Sequence, residues 1–140
     1  SWLKRNGYSN VDLKETYGVD ITCKKDNVPA FFETEIKYSW VRQWPNEWME
    51  VRIPYRKHKI VDKWIRNGSE GTLTFIVFRS DCKQAWFIDG LAVKNSRIAT
   101  RNTRYTLNEE FYHIDVNDAH IINMEKKDVE KDFVNRKYPS

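Results

Sequence analysis

No apolar run in the chain approaches the roughly 20 residues that a membrane-spanning helix needs, and no charged-then-apolar leader opens it. Cysteine is scarce. Cys23 and Cys82 do not amount to a disulfide framework and lack metal-ligand spacing, so they read as free thiols in a reducing compartment. With only five glycines the chain holds no phosphate-cradling Gly-rich loop, which argues against nucleotide hydrolysis. It also lacks repeats, low-complexity tracts and any Pro/Gly/Ser-rich linker. These absences leave one domain over residues 1–140, with an intracellular, cytoplasmic setting expected and no membrane partner. The start at Ser1 without Met points to a trimmed N-terminus.

What is present begins with aromatic mass. Six Trp, seven Tyr and seven Phe, within a hydrophobic share of 40%, are enough for a packed interior and exclude wholesale disorder. The 24 Lys and Arg against 20 Asp and Glu leave a net charge of +4, too mild to imply nucleic acid by itself. The distribution says more. Arg52, Arg56, Lys57, His58, Lys59, Lys63 and Arg66 stand against Asp62 alone, and residues 94–104 carry Lys94, Arg97, Arg101 and Arg104 with no acid. Two central basic patches are the kind of footprint a phosphate backbone can use.

Pattern along the chain predicts a mixed α/β domain. After a helix-like stretch at residues 2–5 and a turn at Asn6-Gly7, residues 8–17 have no clear pattern. Residues 19–23 are β-rich and close in a polar turn at 24–27. Residues 29–38 form the clearest strand, with Glu33, Glu35 and Lys37 on one face and Phe32, Thr34, Ile36 and Tyr38 on the other. A third strand is expected at 49–55 and a helix at 59–67, with Gly68 at its C-terminal stop. Strands at 72–79 and 85–93 follow, then one at 111–116. Asp118 could cap a helix through Ile121, Ile122 and Met124, and a strand there is almost as good. Three strands before the helix argue against a doubly wound parallel sheet and for a mixed central sheet flanked by helices. The core order is β-β-β-α-β-β over about residues 7–93, with additions at 94–140.

Asp20 stands on the first of these strands and Glu35 on the second, with 14 residues between them. A hairpin would let the two acids meet, and Lys37, two residues after Glu35, points to the same side. Two hard oxygen ligands and one ammonium are what metal-assisted phosphodiester hydrolysis requires. A divalent cation neutralises a phosphate oxygen and lowers the pKa of water, and the ammonium stabilises developing charge. The pattern Asp20, then Glu35-Ile36-Lys37, resembles the PD-(D/E)XK, or restriction-endonuclease-like, nuclease superfamily, with Gly18-Val19-Asp20 in place of the eponymous Pro-Asp. The resemblance implies a mixed sheet between helices and a Mg²⁺ ion, with Mn²⁺ able to substitute. It implies that Asp20 and Glu35 bind the ion, the Ile36 carbonyl contributes, and Lys37 assists the attacking water. Glu33, on the same face, is an additional ligand or replaces Glu35 if the register differs. The first-helix Glu that many relatives supply has only Glu15 as a weak substitute.

The segment Ile53-Pro54-Tyr55-Arg56-Lys57-His58-Lys59 reads as a phosphate-contacting edge, because cations in a helix's first turn oppose its dipole unless an anion joins them. Arg56, Lys57 and Lys59, with Arg101 and Arg104, are the expected nucleic-acid contacts. Trp40, Trp44 and Trp48 fit core packing and loop anchoring better than base stacking, and His58, His113 and His120 fit surface or supporting roles better than zinc. The expected activity is a divalent-metal endonuclease, acting on DNA ahead of RNA, with a homodimer as one candidate assembly. The rivals are a non-catalytic nucleic-acid-binding or assembly module that keeps the fold, and an interaction protein with no nucleic-acid role.

Overall fold

The hairpin that organises the sheet turns on two residues. Asp26 and Asn27 both adopt positive φ, 53° and 64°, the requirement of a two-residue turn whose twist matches its strands. Asp and Asn tolerate that conformation better than other residues with a side chain. A computed structural model describes residues 1–12, 19–37, 40, 44, 49–103 and 106–134. On either side of the turn, β2 (Ile21–Lys25) pairs antiparallel with β3 (Val28–Lys37). Before them come α1 (Trp2–Arg5) and β1 (Tyr8–Asp12), a strand that the sequence pattern did not reveal.

After β3 the chain makes β4 (Glu50–Pro54), a 3₁₀ turn at Tyr55–Lys57, and α2 (His58–Arg66). It then returns as β5 (Thr72–Arg79), parallel to β3 in the register Glu33↔Phe75, Glu35↔Val77 and Lys37↔Arg79. Gly71 permits this approach. Its φ is +69°, and a Cβ there would lie 2.1 Å from the Pro29 carbonyl oxygen. β6 (Gln84–Asp89) and β9 (His120–Asn123) complete a six-stranded sheet of order β1-β2-β3-β5-β6-β9, in which only the β3–β5 pair is parallel.

The fold is therefore the mixed central sheet flanked by helices that the pattern predicted. Central β5 is apolar on both faces, as a strand covered on both sides must be. Leu73, Phe75 and Val77 face one core with Val61 and Trp64 of α2 and with Val93 of α3 (Gly90–Lys94). Ile76 and Phe78 face the other, with Leu3 of α1 and Val129 of α4 (Lys126–Val129). Phe133, in a π-helical turn at Glu130–Val134, joins that second core.

Two expectations are corrected. The strand expected at 49–55 does form, but β4 lies outside the main sheet. It pairs with β8 (Glu109–Asp115), which also pairs with β7 (Arg97–Arg101), so a separate three-stranded sheet packs Val51, Ile53, Tyr112 and Ile114 against the α2 side. The strand expected at 85–93 stops at Asp89, whose carboxylate accepts a hydrogen bond from the Leu91 amide at 2.9 Å and starts α3. Of the two places expected for His113, surface or supporting, the structure gives a buried one: Nδ1 lies 2.7 Å from Glu50 Oε1 and Nε2 3.2 Å from the Ala99 carbonyl. At residues 120–123 the strand alternative forms rather than the helix, paired with β6. Residues beyond 93 thus supply three strands and part of each core.

Cys23 and Cys82 are free and buried. Trp44 lies in the core, its ring 6.1 Å from that of Trp86, whereas Trp48 falls outside the described residues. Among the described residues no helix is long and apolar enough to cross a membrane.

Candidate metal and phosphate site

β3 presents its acidic face toward α2. Phe31 packs into the α2-side core, and residues two apart on a strand share a face, so Glu33, Glu35 and Lys37 follow Phe31 along that side. Asp20 stands one step beyond the Ile21↔Phe32 pair, opposite Glu33. Asp20 thus lies one residue before β2, and the acid of β3 that it faces is Glu33 rather than the expected Glu35.

The carboxylates divide into two linked groups. Asp20 Oδ2 accepts hydrogen bonds from the Thr34 amide at 2.9 Å and the Thr34 hydroxyl at 2.8 Å, while the Asp20 amide donates to Glu33 Oε1 at 3.1 Å. Two residues along, Lys37 Nζ donates to Glu35 Oε1 at 2.8 Å. The other oxygen of that carboxylate, Glu35 Oε2, is buried and has no hydrogen-bond partner among the described residues. A buried carboxylate oxygen left so is costly, and binding a hard cation is one role that its chemistry fits.

Lys57 closes the site from above. It ends the 3₁₀ turn and precedes α2, and its ammonium lies 3.1 Å from Glu33 Oε2 and 3.2 Å from the Thr34 carbonyl, with both charged side chains only 12% exposed. Burial pushes the Glu33 carboxyl up from the usual range. Lys57 counters this, and the neighbouring Asp20 adds to it.

Among the residues expected to do chemistry, Glu35 and Lys37 are in contact, Asp20 and Glu33 are in contact, and Ile36 lies between on the opposite face of β3. The expected nucleic-acid contacts scatter. Arg56 is exposed and sits 3.3 Å from Glu109, Lys59 is exposed on α2, and Arg101 is exposed on β7. Lys57 turns inward, so the anion that helix-dipole reasoning sought for it is Glu33 of the same chain. Arg104 and Glu15 lie outside the described residues. Sequence reasoning missed Thr34, which holds Asp20, and the Lys57–Glu33 pair. The dipole conflict at the start of α2 was the only available signal for the latter.

Among the described residues no group of three or more His, Cys, Asp and Glu side chains gathers into a metal cage. A hard cation such as Mg²⁺ does not need one, since it keeps several waters and takes one or two protein carboxylates. The donors here are all oxygens, and one of them is buried without a hydrogen-bond partner among the described residues. The residues fit such an ion.

No protein-family model and no curated protein matches the chain. Among solved structures, the Holliday junction resolvase Hjc of the hyperthermophilic archaeon Archaeoglobus fulgidus is similar over 91% of this chain and 93% of that chain, at 11% identity and a TM-score of 0.49.

Proposed function

We propose that the chain is a divalent-metal-dependent nuclease of the restriction-endonuclease-like class, hydrolysing a phosphodiester of DNA in preference to RNA. The observation that carries this reading is the Glu35 carboxylate, with Oε1 held by Lys37 and Oε2 buried without a partner among the described residues, two positions along β3 from the Asp20–Glu33 contact. A buried oxygen of this kind is stable when a cation takes it.

Each residue has a definite task. Asp20, fixed by two bonds from Thr34, and Glu35, fixed by Lys37, would hold the ion, with Glu33 beside them and the Ile36 carbonyl within the same stretch. The bound ion would lower the pKa of water and neutralise a phosphate oxygen. Lys37 has two further N–H donors to orient the attacking water and to stabilise charge as it develops on the phosphate. Lys57 offsets the charge of Glu33, as Lys37 offsets that of Glu35. Arg56, Lys59 and Arg101, together with Arg104 from the sequence, would draw in the backbone.

The test is supercoiled plasmid incubated with Mg²⁺, Mn²⁺ or EDTA, comparing the intact chain with Lys37→Ala. Metal-dependent nicking that the variant loses supports the reading. DNA binding without nicking in either metal overturns it in favour of a non-catalytic module.

A further inference from the structure

On the α2 side of the sheet, near the Asp20–Glu33 contact along the chain, a cavity of about 320 Å³ opens. Val19, Phe31 and Leu73 form its sheet wall, and Ile60, Trp64 and Asn67 form its helix wall. Val19 is the residue before Asp20, and Phe31 is two before Glu33 on the same strand face. Ile60 and Trp64 of α2, with Lys57 just before the helix and Asn67 just after it, follow at spacings of three, four and three. The series starts at the lysine paired with Glu33, then runs along the cavity for about 10 Å from Ile60 to Asn67.

The lining defines an occupant. Two aromatic rings and three aliphatic side chains suit a flat apolar surface, whereas Asn67, Lys63 and Glu70 at the rim offer donors and acceptors to the edge of a planar group. Lys63 also borders a shallow surface groove with Lys59, Arg66 and Lys94, where Asp62 is the one acid among the lining residues. A slot for a heterocycle, a basic track beside it and carboxylates at one end are the parts of a single nucleotide: base, backbone and reacting phosphate.

We infer that this slot takes one unstacked base of the DNA strand next to the phosphate at the carboxylates, so that the preferred substrate is a duplex with an unpaired base. The inference rests on the nuclease reading and adds substrate structure to it. A fully paired base would have to be pulled from its stack to enter, and an unpaired one has less to lose. Stacking on protein rings is worth enough per base to show in affinity.

The experiment measures fluorescence anisotropy in EDTA with two labelled duplexes of one sequence, one fully paired and one with a single unpaired base. The intact chain is expected to bind the second about tenfold more tightly. Ile60→Trp, which fills the slot, should bring that ratio to about one with affinity for the paired duplex unchanged, and Asn67→Ala, at an exposed position, should lower it about twofold to fivefold. A thermal melt shows whether each variant is folded, and if Ile60→Trp is not, Asn67→Ala decides. A ratio near one in an intact chain that still nicks DNA overturns the slot and leaves the nuclease standing. So does a ratio that folded variants leave unchanged. An intact chain that binds neither duplex overturns both.

Discussion

Asp20 and Thr34 are joined by two hydrogen bonds, with Oδ2 of the carboxylate accepting from both the amide and the hydroxyl at 2.9 and 2.8 Å. The carboxylate therefore has a structural task as well as the chemical one proposed for it. Asp20→Ala would strand the Thr34 amide on a part-buried strand, costing about 1–2 kcal/mol, whereas Asp20→Asn keeps an acceptor there and removes the charge. We expect Asn to melt near the intact chain and Ala several degrees lower, with both abolishing metal-dependent nicking. Nicking at the full rate by a folded Asp20→Asn protein would remove Asp20 from the site.

Glu35 and Lys37 should separate by role. Glu35→Gln removes half of the ligand charge and is expected to raise the Mg²⁺ concentration needed for activity. Lys37→Ala should leave that concentration nearly unchanged and reduce the cleavage rate about 10²- to 10³-fold, the scale of losing one preorganised charge-stabilising donor. Metal titrations of cleavage rate check both. Identical metal dependence in all three proteins would show that Glu35 holds no ion.

The Glu33 carboxyl is raised by burial and by Asp20, against the pull of Lys57, so the folded chain holds its proton more tightly than the unfolded chain does. The stability this confers is complete below the ordinary Glu range, about pH 4.3, and is lost as pH rises through the raised folded value. Glu33→Gln has no such loss. Its melting temperature should gain on that of the intact protein as pH increases from about 4 toward neutrality. Parallel curves across that range would show that Glu33 is not under strain.

Removing Lys57 should do the reverse. Lys57→Met leaves Glu33 buried with its ammonium gone, which costs up to about 3 kcal/mol at neutral pH and less in acid, where Glu33 is protonated. Chemical denaturation at two pH values measures this. A loss that is equal at both would mean that Lys57 acts by packing alone.

Burial pushes the Cys23 thiol up to about 12 and raises that of Cys82 as well. Nucleophilic thiolate is therefore scarce in the folded protein. Neither cysteine should react with a thiol reagent until denaturant is added, when both should. A fast native reaction at one of them, tracked by mass spectrometry, would show that its strand opens locally.

The local residues determined a good deal. Alternation across 28–37 sets which side chains share the acidic face, and Asp26-Asn27 supplies a turn that brings Asp20 opposite Glu33. The apolar run at 72–79 marks a strand buried on both faces. Periodicity and turn chemistry are properties of neighbours in the chain, so they can be read there. Tertiary structure alone decided the rest. Nothing near residues 50–54 distinguishes a strand of the main sheet from one that pairs with residues 109–115, because that choice depends on which edges remain open once β5 has paired with β3. Lys57 read as a phosphate contact and lies inside against Glu33, 24 positions earlier, and His113, open in the sequence to a surface or a supporting place, lies buried on Glu50. The partner of a charge is fixed by distance in space rather than by spacing in sequence. An interior pair of this kind forms only where the fold excludes water from both groups.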